Sequence, residues 1–130
     1  MILKINSSAK NEFIEVTAMV KNTIQENKWR NGILFLNVLH TTAALTINEN
    51  ADDDVKTDLI NALNDLVPDI RYYHTEGNSD SHLKASLIGS DLTVQVVNGT
   101  PVLGRWQGIY FCEFDGPRSN REIKIQFIEK

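Results

Sequence analysis

The chain of 130 residues has one cysteine, Cys112, three prolines and seven glycines. A lone thiol excludes an internal disulfide and a cysteine zinc ribbon. Between Phe111 and Glu113, with no basic neighbour, it reads as a buried structural group. No apolar run approaches the roughly 18 residues of a membrane span, and Met1-Ile2-Leu3-Lys4 lacks the pattern of a signal peptide. Positive charge is scarce: 13 lysines and arginines against 17 acids give a net charge of −4. That balance argues against nucleic acid or a membrane surface as partner. P-loop, G-x-G-x-x-G and G-x-S-x-G motifs are missing, so nucleotide and serine-hydrolase readings lack motif support. These absences point to a soluble, reducing, cytoplasmic setting.

What is there suits one globular unit. Hydrophobic residues make up 42% and charged residues 23%. No repeat, linker or low-complexity stretch interrupts the chain, so residues 1–130 are read as a single domain. Ile2 to Ile5 and Phe13 to Thr17 are strand candidates around a polar Ser7 to Asn11 turn. Met19, Val20, Ile24 and Trp29 then have helical spacing, with Thr17 as the expected cap and Asn31-Gly32 as the expected stop. The near-continuous run Ile33 to Leu39 reads as a strand buried on both faces, and Ala44 to Ile47 as its successor. Asp52, Asp53 and Asp54 precede Val55, Leu59, Leu63 and Leu66, the pattern of a helix with acids at its positive end, stopped by Pro68. A polar stretch from 69 to 82 leads to a short helical piece, Leu83 to Ile88. Leu92 to Val96, the Asn98-Gly99 turn, Ile109 to Phe114 and Ile123 to Ile128 complete a β-rich C-terminal half. The expected fold is α+β and mainly antiparallel: a β-sandwich with two or three short helices.

The chemistry concentrates in His40, His74 and His82 and the loop between the last two. Imidazole is a common ligand of zinc-like metals, but this spacing fits no helical metal motif, so unrelated loop histidines stay open. Arg118 and Arg121, beside Gly116-Pro117, have the donors to grip a phosphate, or form a solvated turn. Trp106, flanked by glycines, reads as packing more than ligand stacking.

Four strings carry a resemblance: His40-Thr41-Thr42-Ala43-Ala44 through Asn50, His74-Thr75-Glu76-Gly77-Asn78 through Leu87, Val102-Leu103-Gly104-Arg105-Trp106-Gln107-Gly108-Ile109, and Phe114-Asp115-Gly116-Pro117-Arg118. In order along the chain they resemble the YjbQ-like family, described as secondary thiamine-phosphate synthase enzymes. The resemblance implies a jelly-roll-like β-sandwich, a homotrimer and a metal-binding cleft. It also implies weak thiamine-phosphate synthase activity, joining a pyrimidine diphosphate to a thiazole phosphate with release of pyrophosphate. It makes His40, His74 and His82 metal ligands, for a divalent ion that is zinc-like or else magnesium. Glu49, Asp80 and Asn78 become catalytic or orienting groups, while Lys84, Trp106, Gln107, Arg118 and Arg121 contact a small phosphorylated metabolite. Arg105 stands where the family commonly has threonine, which bears on the substrate. Alternatives on the same residues are a metal-dependent hydrolase and a non-enzymatic trimeric metabolite-binding protein.

Overall fold

A computed structural model describes residues 1–68 and 70–130. Among them, eight strands and three helices follow in the order β1 (Ile2–Ile5), β2 (Glu12–Glu15), α1 (Thr17–Glu26), β3 (Gly32–Val38), β4 (Ala43–Glu49), α2 (Asp53–Leu66), α3 (Ser79–Ile88), β5 (Asp91–Val97), β6 (Thr100–Pro101), β7 (Gln107–Glu113) and β8 (Arg121–Glu129). The strands form a five-stranded sheet, β1-β8-β3-β5-β6, and a three-stranded sheet, β2-β7-β4. Every pairing is antiparallel. The α+β, mainly antiparallel expectation therefore holds.

The small sheet is apolar on both faces. One face of β4 and β7 supplies Ala43, Leu45, Ile109 and Phe111, which pack with Leu34, Leu36, Ile123 and Ile125 of the large sheet and with Val20 and Ile24 of α1. The other supplies Ala44, Tyr110 and Cys112, which pack with Leu63 of α2, Ala85 of α3 and the flanking Phe13 and Phe114. Hence β7 is almost continuously buried. Each of its larger side chains, fully desolvated, contributes about 1.5–3 kcal/mol of transfer free energy. Burial also pushes the Cys112 thiol up, because a thiolate would have no water around it.

Four local expectations are corrected. The first helix ends near Asn27, and Trp29 lies beyond it, stacked on Phe127 with ring centroids 5.1 Å apart. Gly32 is no helix cap; it opens β3, and a Cβ there would collide with the Ile128 backbone on the neighbouring strand. Thr17 does not cap α1. Its hydroxyl instead donates to Glu15 and accepts from the Ile109 N–H. The β3 run is not buried on both faces but alternates: Leu34, Leu36 and Val38 point inward while Ile33 and Phe35 are exposed.

Other readings are observed directly. Asp52 caps α2 by accepting from the Asp54 N–H at 2.9 Å, and Asp53 pairs with Lys56. This accounts for the acids locally. Asn98 and Gly99 both have positive φ, 52° and 78°, as the tight β5–β6 turn requires.

A buried ion pair fastens the two sheets. Glu113 at the end of β7 is 0% exposed and Arg121 at the start of β8 is 5% exposed. The guanidinium makes two bonds to the carboxylate, at 2.9 and 2.5 Å, and a third to Thr42 Oγ1 at 2.8 Å. Ser7 Oγ donates to the same carboxylate at 2.6 Å. Burial opposes the charge on Glu113, yet the bonds from Arg121, Ser7 and the Asp115 N–H and the arginine's charge hold its carboxyl below the usual range. A carboxyl lowered by folding contributes stability above its unfolded value, near pH 4.3, and loses it as pH falls through the lower folded value. Arg121→Met, which strands a buried carboxylate, should cost about 3–5 kcal/mol in urea unfolding at neutral pH. Glu113→Gln should flatten the acid limb of the stability profile; an unchanged limb would assign acid sensitivity to other groups.

Candidate functional site

Helix α3 organises the polar groups. Its inward face carries Ser81, Lys84 and Ala85, all buried. Ser81 Oγ donates to the Phe114 carbonyl at 2.5 Å, which fixes the start of the helix against the end of β7. Asn78, just before the helix, donates to Asp115 Oδ2 at 2.9 Å. Asn78 thus ties the loop to the segment after β7, and its buried Oδ1 has no hydrogen-bond partner among the described residues.

A cavity of about 410 Å³ lies beside α3, lined by Lys10, Asn64, Tyr72, His74, Ser79, Asp80 and Lys84 among others. Lys84 is 2% exposed. Its ammonium donates to Asn64 Oδ1 at 2.6 Å and to Asn11 Oδ1 at 3.1 Å, with Asp80 Oδ2 at 3.7 Å. Burial pulls this ammonium below the ordinary lysine value, and Asp80 offsets part of the loss. Asp80 in turn accepts from Lys10 at 2.8 Å. Partial burial works against its charge, while the Lys10 bond and both lysine charges hold its carboxyl below the ordinary value. Two ammonium groups thus face one carboxylate at the cavity wall.

The expected three-histidine ligand set is not assembled: among the described residues no group of three or more His, Cys, Asp or Glu could hold a metal ion. His74 and His82 do meet, edge to face, with ring centroids 5.4 Å apart. His74 Nδ1 is 3.0 Å from Ser79 Oγ, and its Nε2 is 3.6 Å from Glu76. His82 lines a second cleft with His40, Thr41, Ser86 and Ser90. The Nε2 of His40 is occupied: it accepts from the Glu122 N–H at 2.8 Å. That bond assigns the proton of the neutral ring to Nδ1.

The remaining expected contacts disperse. Arg121, buried, commits its Nε and Nη2 donors to Glu113 and Thr42. Arg118 is exposed and bridges Asp115 through its carboxylate and its carbonyl, at 2.8 and 3.0 Å. Gln107 Oε1 accepts from the Gly104 N–H at 2.7 Å and closes the turn before β7. Trp106 is 54% exposed, not packed as the sequence suggests, with the Arg105 guanidinium 4.7 Å over its ring. Arg105 therefore acts locally, on its neighbour's aromatic face. Glu49 ends β4, where its carbonyl accepts from the Tyr110 hydroxyl. Of the expected set, Lys84, Asp80 and His74 line the cavity beside α3, and His40 and His82 the second cleft; sequence reasoning missed Lys10 and Ser79, which sit in polar stretches without periodicity.

Desolvation and the nearby Arg121 charge lower the pKa of His40. A two-dimensional nitrogen–proton NMR titration should show the Nδ1–H tautomer, with a midpoint below the ordinary value near 6.5. A higher midpoint would mean the ring has broken its bond to the Glu122 N–H. By linkage, His40 supports folding above the unfolded value and ceases to as pH falls through the folded one.

The family model of UPF0047 protein YjbQ-like matches residues 1–130. The UPF0047 protein MJ1081 of Methanocaldococcus jannaschii is 46% identical over 126 residues, covering 96% of this chain and 91% of that protein. YugU of Bacillus subtilis is 44% identical over 119 residues, covering 90% of each. A solved structure of an uncharacterised conserved YjbQ/UPF0047 protein from Clostridium acetobutylicum superposes with a TM-score of 0.93 at 43% identity, covering 98% and 99% of the two chains. A Sulfolobus solfataricus protein described as of unknown function gives 0.94 at 27% identity, covering 100% of this chain and 96% of that one. None of these descriptions names a thiamine-phosphate synthase. Together with the missing three-ligand group among the described residues, this overturns the metal-dependent thiamine-phosphate synthase expectation and its stated alternatives. The match along the whole length, at these identities, leaves the chain a member of the UPF0047 YjbQ-like family.

Proposed function

We propose that the cavity beside α3 is a side-chain acid–base site for a small phosphorylated metabolite. The observation that carries the reading is the charge excess at its wall: Lys10 and Lys84 together against Asp80 alone. Buried Lys84 is a fixed positive charge in a medium where electrostatic attraction is stronger than in water. Lys10, half exposed, is free to swing from Asp80 onto an incoming phosphate. His74, which also lines the cavity, has a ring nitrogen suited to carrying a proton. Inorganic phosphate should therefore stabilise the protein against heat. At about 100 times its dissociation constant the gain would be near 2.7 kcal/mol, and Lys10→Ala should remove most of it. An equal shift in wild type and variant would place the anion elsewhere.

A homotrimer is part of the same reading. Ile33 and Ile128 are paired neighbours on the outer face of the large sheet, Phe35 lies two residues on, and all three are exposed. A face of this kind on a short chain is suited to cover by another copy. We read the two sheets as a jelly-roll-like sandwich and the free, buried Cys112 as fitting a reducing cytoplasm. Light scattering should give about three times the mass of 14.7 kDa, and Phe35→Asp should lower it; a monomeric wild type would refute the assembly.

A further inference from the structure

We propose that Ser79 is a covalent acyl-transfer nucleophile, activated by His74, acting on a small carboxylic ester that also carries an anionic group. The substrate class rests on the anion-binding reading of the cavity; the nucleophile does not. Ser79, His74 and Glu76 are neighbours: hydroxyl to Nδ1 at 3.0 Å, and Nε2 within ion-pair range of the carboxylate at 3.6 Å. Nucleophile, base and orienting acid in that sequence are the parts that activate a serine, and they are recognised by geometry rather than by position in the chain. Either ring nitrogen can serve as the base, so attachment through Nδ1 is no obstacle.

The surroundings suit the task. Ser79 is half-buried and lines the cavity together with His74, Lys10 and Lys84. It opens α3, where the first N–H groups of a helix have no carbonyl partner within it. His82 packs edge to face against the His74 ring, with centroids 5.4 Å apart. The missing G-x-S-x-G elbow is no contradiction. An elbow exposes its serine at a strand-to-helix turn, and here a loop-to-helix turn presents the hydroxyl instead.

The step balances without a further reactant than water. Ser79 Oγ attacks the ester carbonyl carbon as His74 takes the hydroxyl proton. The tetrahedral centre collapses, the carbon–oxygen bond to the alcohol breaks, and the alcohol leaves with the proton from His74. Water then attacks the acyl-serine with His74 again as base, releasing the carboxylic acid and restoring Ser79. Lys10 holds the anionic group and does not enter the bond changes.

The test is labelling of the full-length protein by a fluorophosphonate, read by intact and peptide mass spectrometry. A bond forms between Ser79 Oγ and phosphorus, and fluoride leaves with the proton that His74 accepts. The expected result is an adduct on Ser79 that is absent in Ser79→Ala, with His74→Asn slowing labelling by about 100-fold. Glu76→Gln should slow it several-fold and Glu76→Asp restore part of the rate, which a merely structural role would not do. Ser79→Cys guards against misfolding, since it should gain alkylation by iodoacetamide that depends on His74. No adduct on wild type, an adduct that survives Ser79→Ala, or equal rates with and without His74 would each overturn the nucleophile. Inorganic phosphate should slow labelling of wild type and spare Lys10→Ala. Labelling of Ser79 that ignores phosphate would overturn the anionic substrate and keep the nucleophile. Phosphate binding at Lys10 without labelling would do the reverse.

Discussion

The contact on which the molecule depends is the ion pair between Glu113 and Arg121. Each ion is expensive to remove from water, and the pair persists because both carboxylate oxygens and the Nε and Nη2 donors of the guanidinium are hydrogen-bonded. Arg121 spends its donors on Glu113 and Thr42, and Glu113 collects further bonds from Ser7 and the Asp115 N–H. These residues lie on β7, on β8, before β4 and in the turn after β1, so one charge pair gathers four segments of the chain. The segment just beyond Glu113 carries Phe114, whose carbonyl receives Ser81, and Asp115, whose carboxylate receives Asn78. The cavity beside α3 is thus held in place from the sheet junction outward.

Helix α3 shows how polar burial can build a site. A helix normally buries an apolar stripe and shows water its charges. In α3 the buried positions include a serine and a lysine, each satisfied by a partner from elsewhere in the fold. Such a helix is weakly held by apolar burial and strongly specified by hydrogen bonding, because a slip would strand buried donors. It also leaves an ammonium at the cavity wall, which a leucine at the same place would not.

That same feature limited what the sequence revealed. Apolar alternation located most strands, the Asn98-Gly99 turn and the acid-capped α2 without help. The first turn of α3 was hidden inside a polar stretch, since periodicity registers leucines and not a buried Ser81 or Lys84. The β3 run reads as buried on both faces because Ile33 and Phe35 are apolar, yet that face is open in the single chain. Of the candidate site, the polar loop near His74 and His82 was legible as a concentration of chemistry. Its wiring was not, since Lys10 is 70 residues from Asp80 and Asn11 is 73 from Lys84, and only the fold closes those gaps.

Histidine identity alone does not fix histidine chemistry. A metal ligand needs a free lone pair aimed at the ion, with its other nitrogen held by an acceptor. His40 has the opposite arrangement: the Glu122 N–H takes its Nε2 lone pair and a proton occupies Nδ1. His74 meets a hydroxyl on one side and a carboxylate on the other, the surroundings of a proton carrier. His40 and His74, which the resemblance groups into one ligand set, therefore have separate partners, and each partner, rather than the shared residue type, decides what its ring can do.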